Sequence, residues 1–246
     1  MSEVLLERHG GVAVVTLAAP ERRNAFRPEM VRELIEICEE VDADRSVGAV
    51  VVQGQGPSFC SGADRAVLAE AGEDPAETGR YERLGLTYNA FVRVGELQAP
   101  TVAAVRGHAV GAGVNLMLAT DLRVIAEDAR IITGFARIGL HPGGGHFTLL
   151  GRLAGREAAA GMTVFGQEID GRRAVELGLA WEALPADQVE PRALEIASTV
   201  AADPELARAT VRSFRLELGP PASTWAAGLE LEKAPQMWSL RRRKPQ

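Results

Sequence analysis

The chain has 246 residues, of which 46% are hydrophobic, 24% charged and 5% aromatic, with a formal net charge of −6. That suits one large globular domain, or a domain with a small extension, and the acidic balance argues against a general nucleic-acid binder. No apolar run approaches the roughly 18 residues that a membrane crossing needs, and two cysteines, Cys38 and Cys60, do not make a disulfide framework.

Met1–Gly10 is charged and lacks the apolar stretch of a signal peptide, so a cytoplasmic protein is expected. Val4–Glu7 and Val12–Leu17, joined at Gly10-Gly11, predict a hairpin. Pro28 opens a helix to about Asp42, with Met30, Val31, Leu34, Ile35, Ile37, Cys38 and Val41 at helical spacing. Val47–Val52 reads as a strand, and Gln55–Gly62 as a loop. Ala71–Gly79 reads as a polar loop. Tyr81–Leu97 returns to helical spacing through Leu84, Tyr88, Phe91, Val92 and Val94. Strands are expected at Thr101–Val105 and Asp121–Ala126, with a further apolar run at Ile131–Phe135. Helices are expected at Leu149–Val164, at Gly171–Leu177 capped by Asp170, at Gln188–Ala202 and at Glu205–Leu218. Pro220-Pro221 breaks the pattern, and a last helix, Thr224–Lys233, stops before Pro235. The order predicts a sheet covered by helices.

The chain is organised around Thr101–Gly145. A β-branched run breaks at Gly107, and a glycine cluster, Gly111-Ala112-Gly113, opens an apolar helix. Upstream, Val50–Gly54 likewise leads through small residues to Ala63-Asp64. A strand that ends in small residues at a helix start leaves backbone N–H groups unpaired, able to bind a phosphate or an oxyanion. Two such turns can converge on one carbonyl oxygen, although glycine turns after strands are commonly only turns.

At these residues the chain resembles the crotonase (enoyl-CoA hydratase/isomerase) superfamily. The resemblance rests on Phe59-Cys60-Ser61-Gly62-Ala63-Asp64, Gly107-His108-Ala109-Val110-Gly111-Ala112-Gly113 and Asp121-Leu122-Arg123. Ala19–Phe26, Gly139–Gly145 and Gly166–Gly178 fit as well, and the order holds from about Val4 to Arg215. It implies an α/β crotonase (ClpP-like) spiral of ββα turns over residues 1–187, and a C-terminal helical oligomerisation region over 188–246. It also implies an acyl-CoA substrate, no separate cofactor, and a homotrimer or dimer of trimers with contacts from Gln188 onward. The region of Ala71–Gly79 is then a gate beside the acyl pocket, or a surface loop without a role.

By the same resemblance the N–H groups of Ala63 and Ala112 hold the thioester oxygen and stabilise an enolate, an effect worth about 3–4 kcal/mol per donor. The family usually has glycine at the second of these positions. Arg22, Arg23 and Arg65 are the candidate CoA contacts, with Ala25, Asp64, Phe135 and Gly143 lining the substrate; Asp64 doubles as a helix cap. The run Arg241-Arg242-Arg243-Lys244 is a solvated terminus or a weaker anion contact, and the short tail puts the family's usual closure over CoA in question.

The acid/base pair departs from the family. Its hydratases carry two glutamates that orient water and move its protons; the matching positions here are Asn115 and Phe135, and neither titrates. His146 and His141 flank the glycine turn and are candidate replacements. His108 and His9 are read as structural and surface residues, Asn115 as a neutral orienting group, and Cys60 as a packing residue. No metal-ligand spacing is present. Three readings stay open: an enoyl-CoA hydratase/isomerase-type enzyme with altered acid/base residues, a decarboxylase or C–C hydrolase working through a thioester enolate, and a non-catalytic acyl-CoA-binding protein.

Overall fold

Near-continuous apolar strands need cover on both faces, and this chain supplies it with helices. The computed structural model describes residues 2–74, 77–218 and 225–242. Pro75-Ala76 of the predicted loop, the Pro220-Pro221 break, Thr224 and Arg243-Lys244 lie outside the described residues. The predicted hairpin forms from β1 (Val4–His9) and β2 (Val12–Leu17), antiparallel. From β2 the chain builds a six-stranded sheet in the order β1-β2-β3-β5-β7-β10, with β3 (Ala49–Gly54), β5 (Thr101–Val105), β7 (Leu122–Ala126) and β10 (Glu182–Leu184) all parallel to β2. A second sheet has the order β4-β6-β8-β9: β4 (Ser58–Cys60), β6 (His108–Val110), β8 (Arg130–Ile132) and β9 (Ile169–Asp170). Each of β3, β5 and β7 is thus followed by a short strand of the other sheet. This is the expected α/β spiral, in which one turn adds one strand to each sheet.

Helix α1 (Pro28–Ala43) buries Met30, Val31, Leu34, Cys38 and Val41. Its last carbonyls would be orphaned in the interior. The Arg208 guanidinium meets them, donating to the carbonyls of Val41, Asp42, Asp44 and Val47 at 2.9–3.4 Å. Arg208 stands on α8 (Pro204–Glu217), while α7 (Val189–Ala201) packs against β3, β5 and β7.

The predicted polar loop is largely helical. Helix α2 (Arg65–Glu73) begins at Asp64, whose side chain accepts from Ala66 N–H. Helix α3 (Thr78–Gly95) begins at Glu77, whose carboxylate accepts from the N–H groups of Gly79 and Arg80. The stretch thus holds the end of α2 and, through the Glu77 cap, the start of α3. Helix α4 (Ala112–Ala119) is buried over most of its length. Helix α5 (His146–Ala159) starts earlier than its apolar pattern suggests and passes through Gly155 at φ 76°, after which Ala160–Val164 make a π turn. Helix α6 (Gly171–Glu176) carries the expected Asp170 cap, accepting from Arg173 N–H. The last helix, α9 (Trp225–Arg242), runs through Pro235 instead of stopping there. Burial of Glu232, Gln236, Met237 and Leu240 against the domain outweighs the roughly 3 kcal/mol an interior proline costs. Among the described residues no helix is long and apolar enough to cross a membrane.

Candidate active site

The two small-residue turns meet. Phe26 N–H donates to Gly62 O at 2.7 Å, Asp64 N–H to Phe26 O at 3.0 Å, and Ser61 N–H to Arg23 O at 3.0 Å, which pins Ser61–Asp64 along Arg23–Phe26. Asn24 locks this arrangement from inside. It is fully buried at φ 55°; its Oδ1 accepts from Ala19 N–H and its Nδ2 donates to the carbonyls of Gln55, Ser58 and Phe59. Gly62 stands at φ 86°, and a Cβ there would lie 2.6 Å from Val110 O and 3.1 Å from Ala112 N. A Cβ on Gly113 would collide with the Cys60 carbonyl. The start of α4 therefore sits directly on the end of β4. Ala112 occupies the first position of α4, where the helix offers its N–H no acceptor. Among the described residues, neither Ala63 nor Ala112 N–H donates to a protein group.

Both residues line one cavity of about 750 Å³. Arg22, Arg23, Asp64 and Arg65 also border it, as do Ala25 and Gly143, and Phe135, Asn115, Leu84 and Tyr88 form more of its wall. A larger cleft of about 970 Å³ runs beside α8 past Glu96, Arg208 and Arg215. Of its arginines, Arg208 is engaged as above and Arg215 is in an ion pair of 2.6 Å with Asp121; the smaller cavity is the one onto which the two small-residue turns open.

The border arginines differ. Arg22 is ion-paired with Glu3 and Glu21 and is half-buried; Arg23 and Arg65 are exposed. Asp64 caps α2 and pairs with Arg27 at 2.7 Å. Burial works to raise its pKa, yet the Arg27 and Ala66 hydrogen bonds prevail and hold it below the usual carboxylate range.

His146 is placed differently from the expectation of a titrating group at the pocket. It is fully buried behind Asn115 and does not line the cavity. Its Nδ1 lies 2.7 Å from Asn115 Oδ1 and its Nε2 3.0 Å from Thr163 Oγ1, while Phe135 meets the ring edge-on at 5.0 Å between centroids. Burial pushes the imidazole down to about 3, so it is neutral at physiological pH. The hydrogen bonds then assign the proton to Nδ1, with Thr163 donating to Nε2. Asn115 Nδ2 donates in turn to Gly143 O at 3.0 Å. His141 is half-buried, with Nδ1 2.6 Å from Pro142 O, and also lies off the cavity wall.

The C-terminal helix reaches this network. Glu232 on α9 is buried, and its carboxylate accepts from the N–H groups of His146 at 3.0 Å and Phe147 at 3.3 Å, capping α5. Burial raises its pKa against the pull of these N–H groups. Gln236, one turn on, lines the cavity against Gly143. Cys60 donates to Asn24 O at 3.1 Å, and burial pushes its thiol up to about 12, as it does that of Cys38. Sequence patterns overlooked Tyr88, Thr163, Glu232, Gln236 and the role of Asn24. Tyr88 sat in the apolar stripe of α3, where only its hydroxyl marks it; the others are remote in sequence from the turns and carry no local signal.

The enoyl-CoA hydratase/isomerase family model matches residues 7–231. A probable enoyl-CoA hydratase of Mycobacterium tuberculosis, EchA14, is 39% identical over 240 residues, covering 90% of this chain and 91% of that one. The 1,2-epoxyphenylacetyl-CoA isomerase of Escherichia coli is 34% identical over 209 residues, covering 83% and 78%. Among solved structures, the enoyl-CoA hydratase of Bacillus halodurans superimposes with a TM-score of 0.87 over 98% of this chain and 96% of that one, at 24% identity. The likeness at that identity is one of fold.

Proposed function

The chain belongs to the enoyl-CoA hydratase/isomerase family, and we propose that it holds an acyl-CoA thioester in the 750 Å³ cavity, with the thioester oxygen between the N–H groups of Ala63 and Ala112. The observation that carries this reading is two unpaired N–H donors on turns in direct contact, on residues that line one cavity. Donors fixed by the fold need no reorganisation when charge develops on the oxygen, and burial strengthens them. The methyl of Ala112 leaves its N–H in place. Exposed Arg23 and Arg65 at the border suit CoA phosphates, and Arg22, already paired, serves the loop.

The reaction is of the hydratase/isomerase type in its use of a polarised thioester, without a pair of glutamates to manage a water. Asn115, Phe135 and the neutral, enclosed His146 offer no titrating group near pH 7 at those positions. Proton delivery by His146 is therefore not part of this reading: His146 fixes the Asn115 amide. Chemistry that draws chiefly on the stabilised enolate, as in decarboxylation or C–C cleavage, fits this wall better than hydration. The exposed apolar side chains Leu206, Phe214 and Leu216 of α8 support self-assembly, as a homotrimer or dimer of trimers. The test is calorimetric binding of butyryl-CoA together with turnover of crotonyl-CoA. Micromolar binding with little or no hydration is expected; no binding of any CoA thioester would overturn the reading, and rapid hydration would restore water addition as the reaction.

A further inference from the structure

The cavity lies across the C-terminal ends of three neighbouring parallel strands, β4, β6 and β8. Ser61–Asp64 follow β4, Gly111-Ala112 follow β6, and Thr133–Phe135 follow β8. Neighbouring strands stand roughly 5 Å apart, so the ends of β4 and β8 are roughly 10 Å apart with the end of β6 between them. That order gives the cavity a direction. Arg23 and Arg65, the exposed cations proposed for CoA, border it on the β4 side. A thioester oxygen held at Ala63 and Ala112 then sends the acyl chain the other way, past Phe135 to the β8 side. A further cation borders the cavity there. Arg137 stands two residues beyond Phe135 on the short turn Ala136–Ile138, and 52% of its side-chain surface is exposed. Its Nη1 donates to Glu168 Oε2 at 3.0 Å, but Glu168 also accepts from Arg130, at 2.5 Å on Oε1. One carboxylate is shared by two guanidinium groups, which leaves one net positive charge. The remaining N–H groups of Arg137 have no acceptor among the described residues. Asp64, the acid among the cavity residues, lies on the β4 side and is paired with Arg27, while Thr87, Asn115, Thr133 and Gln236 are neutral. Ile138, beside Arg137 in the wall, is 41% exposed, so the cavity is open at this end and a charged group there keeps part of its hydration.

We infer that Arg137 is a specificity-determining residue that receives a carboxylate at the far end of the acyl group, so that the cavity favours the CoA thioesters of dicarboxylic acids over plain fatty acyl chains of the same length. The inference rests on the acyl-CoA reading above and names the substrate class of the same cavity. A guanidinium presents parallel N–H donors that match the two oxygens of a carboxylate, whereas a methyl terminus uses none of them. The roughly 5 Å from the end of β6 to the end of β8 is a span of a few methylenes.

The test compares thioesters matched in length: pentanoyl-CoA with glutaryl-CoA, and hexanoyl-CoA with adipyl-CoA. Calorimetry on wild type and on Arg137→Gln measures each Kd. Wild type is expected to bind the dicarboxylic member of at least one pair about threefold to tenfold more tightly, in line with one partly exposed charged pair. In Arg137→Gln that preference disappears or reverses, through weaker binding of the dicarboxylic ester. A variant that binds both members of each pair more weakly by the same factor would make Arg137 a contact to CoA or a support of the fold, and that result overturns the inference. So does wild type that prefers neither dicarboxylic ester, or a preference that survives in Arg137→Gln. If no thioester binds at all, the acyl-CoA reading fails and this inference with it; if the hydrocarbon esters bind and no preference appears, only this inference fails.

Discussion

The imidazole of His146 and the amide of Asn115 meet at 2.7 Å inside the protein, both buried, with the ring on the far side of the amide from the cavity. Replacing His146 with alanine leaves Asn115 Oδ1 and Thr163 Oγ1 without partners and a cavity beside Phe135. A loss of about 2–4 kcal/mol in urea unfolding is expected. A variant of wild-type stability would show the network to be dispensable.

The same histidine sets an acid limit. Its folded-state pKa of about 3 lies below the unfolded value near 6.5. Above pH 6.5 both states are neutral and nothing is gained or lost. As pH falls from 6.5 toward 3 the unfolded chain takes up a proton that the native state refuses, so stability declines by up to about 1.4 kcal/mol per pH unit from this group. His146→Gln removes that slope. Unfolding free energies at pH 7, 5.5 and 4.5 should show the wild type losing more than the variant; parallel declines would refute it.

Ala112→Pro probes the donor directly. Proline is favoured at the first position of a helix, where no intrahelical bond is lost, but it deletes the N–H proposed to hold the thioester oxygen. Any thioester turnover should drop by about 10²–10³, with the melting temperature close to wild type. Full activity in a folded variant would remove Ala112 from the oxyanion site.

Asn24→Ala removes four hydrogen bonds at a fully buried position and puts alanine at φ 55°. The expected cost is about 3–5 kcal/mol, seen as a lower denaturation midpoint at unchanged m. The loop carrying Ala63 should exchange its amide protons faster. A cost under about 1 kcal/mol would mean the loop is held elsewhere.

Glu232→Ala strips the cap of α5 while leaving the cavity wall intact. A loss of about 1–2 kcal/mol is expected, whereas Glu232→Gln, which still accepts, should lose less. Its raised pKa means that the carboxylate is ionised at a cost, so the wild-type penalty is absent in acid and grows as pH rises through the folded-state value. The wild-type disadvantage relative to Glu232→Gln should therefore increase with pH; the opposite trend would contradict the burial argument.

The sequence made the spiral legible because its signals are local. Valine runs at Val50–Val52 and Thr101–Val105, glycines at Gly62 and Gly111–Gly113, and the Asp170 cap each act within a few residues. The resemblance to crotonases then ordered them. The Asp64 cap and the helix over Tyr81–Leu97 were legible, but the reach of α2 to Glu73 and the start of α3 at Thr78 were hidden, because the Glu77 cap is a side-chain hydrogen bond that composition does not reveal. The passage of α9 through Pro235 was hidden because tertiary burial decides it. The role of His146 was misleading for a physical reason: a histidine beside a glycine turn looks exposed until α5 begins at that residue and encloses it.

Cys38 and Cys60 have no exposed surface, and their thiols are pushed up to about 12. Thiol–disulfide exchange needs a thiolate that a reagent can reach, so the native protein should ignore a disulfide dye near pH 8. Cys60 lies in the strand on which α4 rests, and Cys38 in the helix that Arg208 clasps. The rates at which the two thiols become labelled are thus two separate clocks, one for the breathing of the site and one for the opening of the body that carries it.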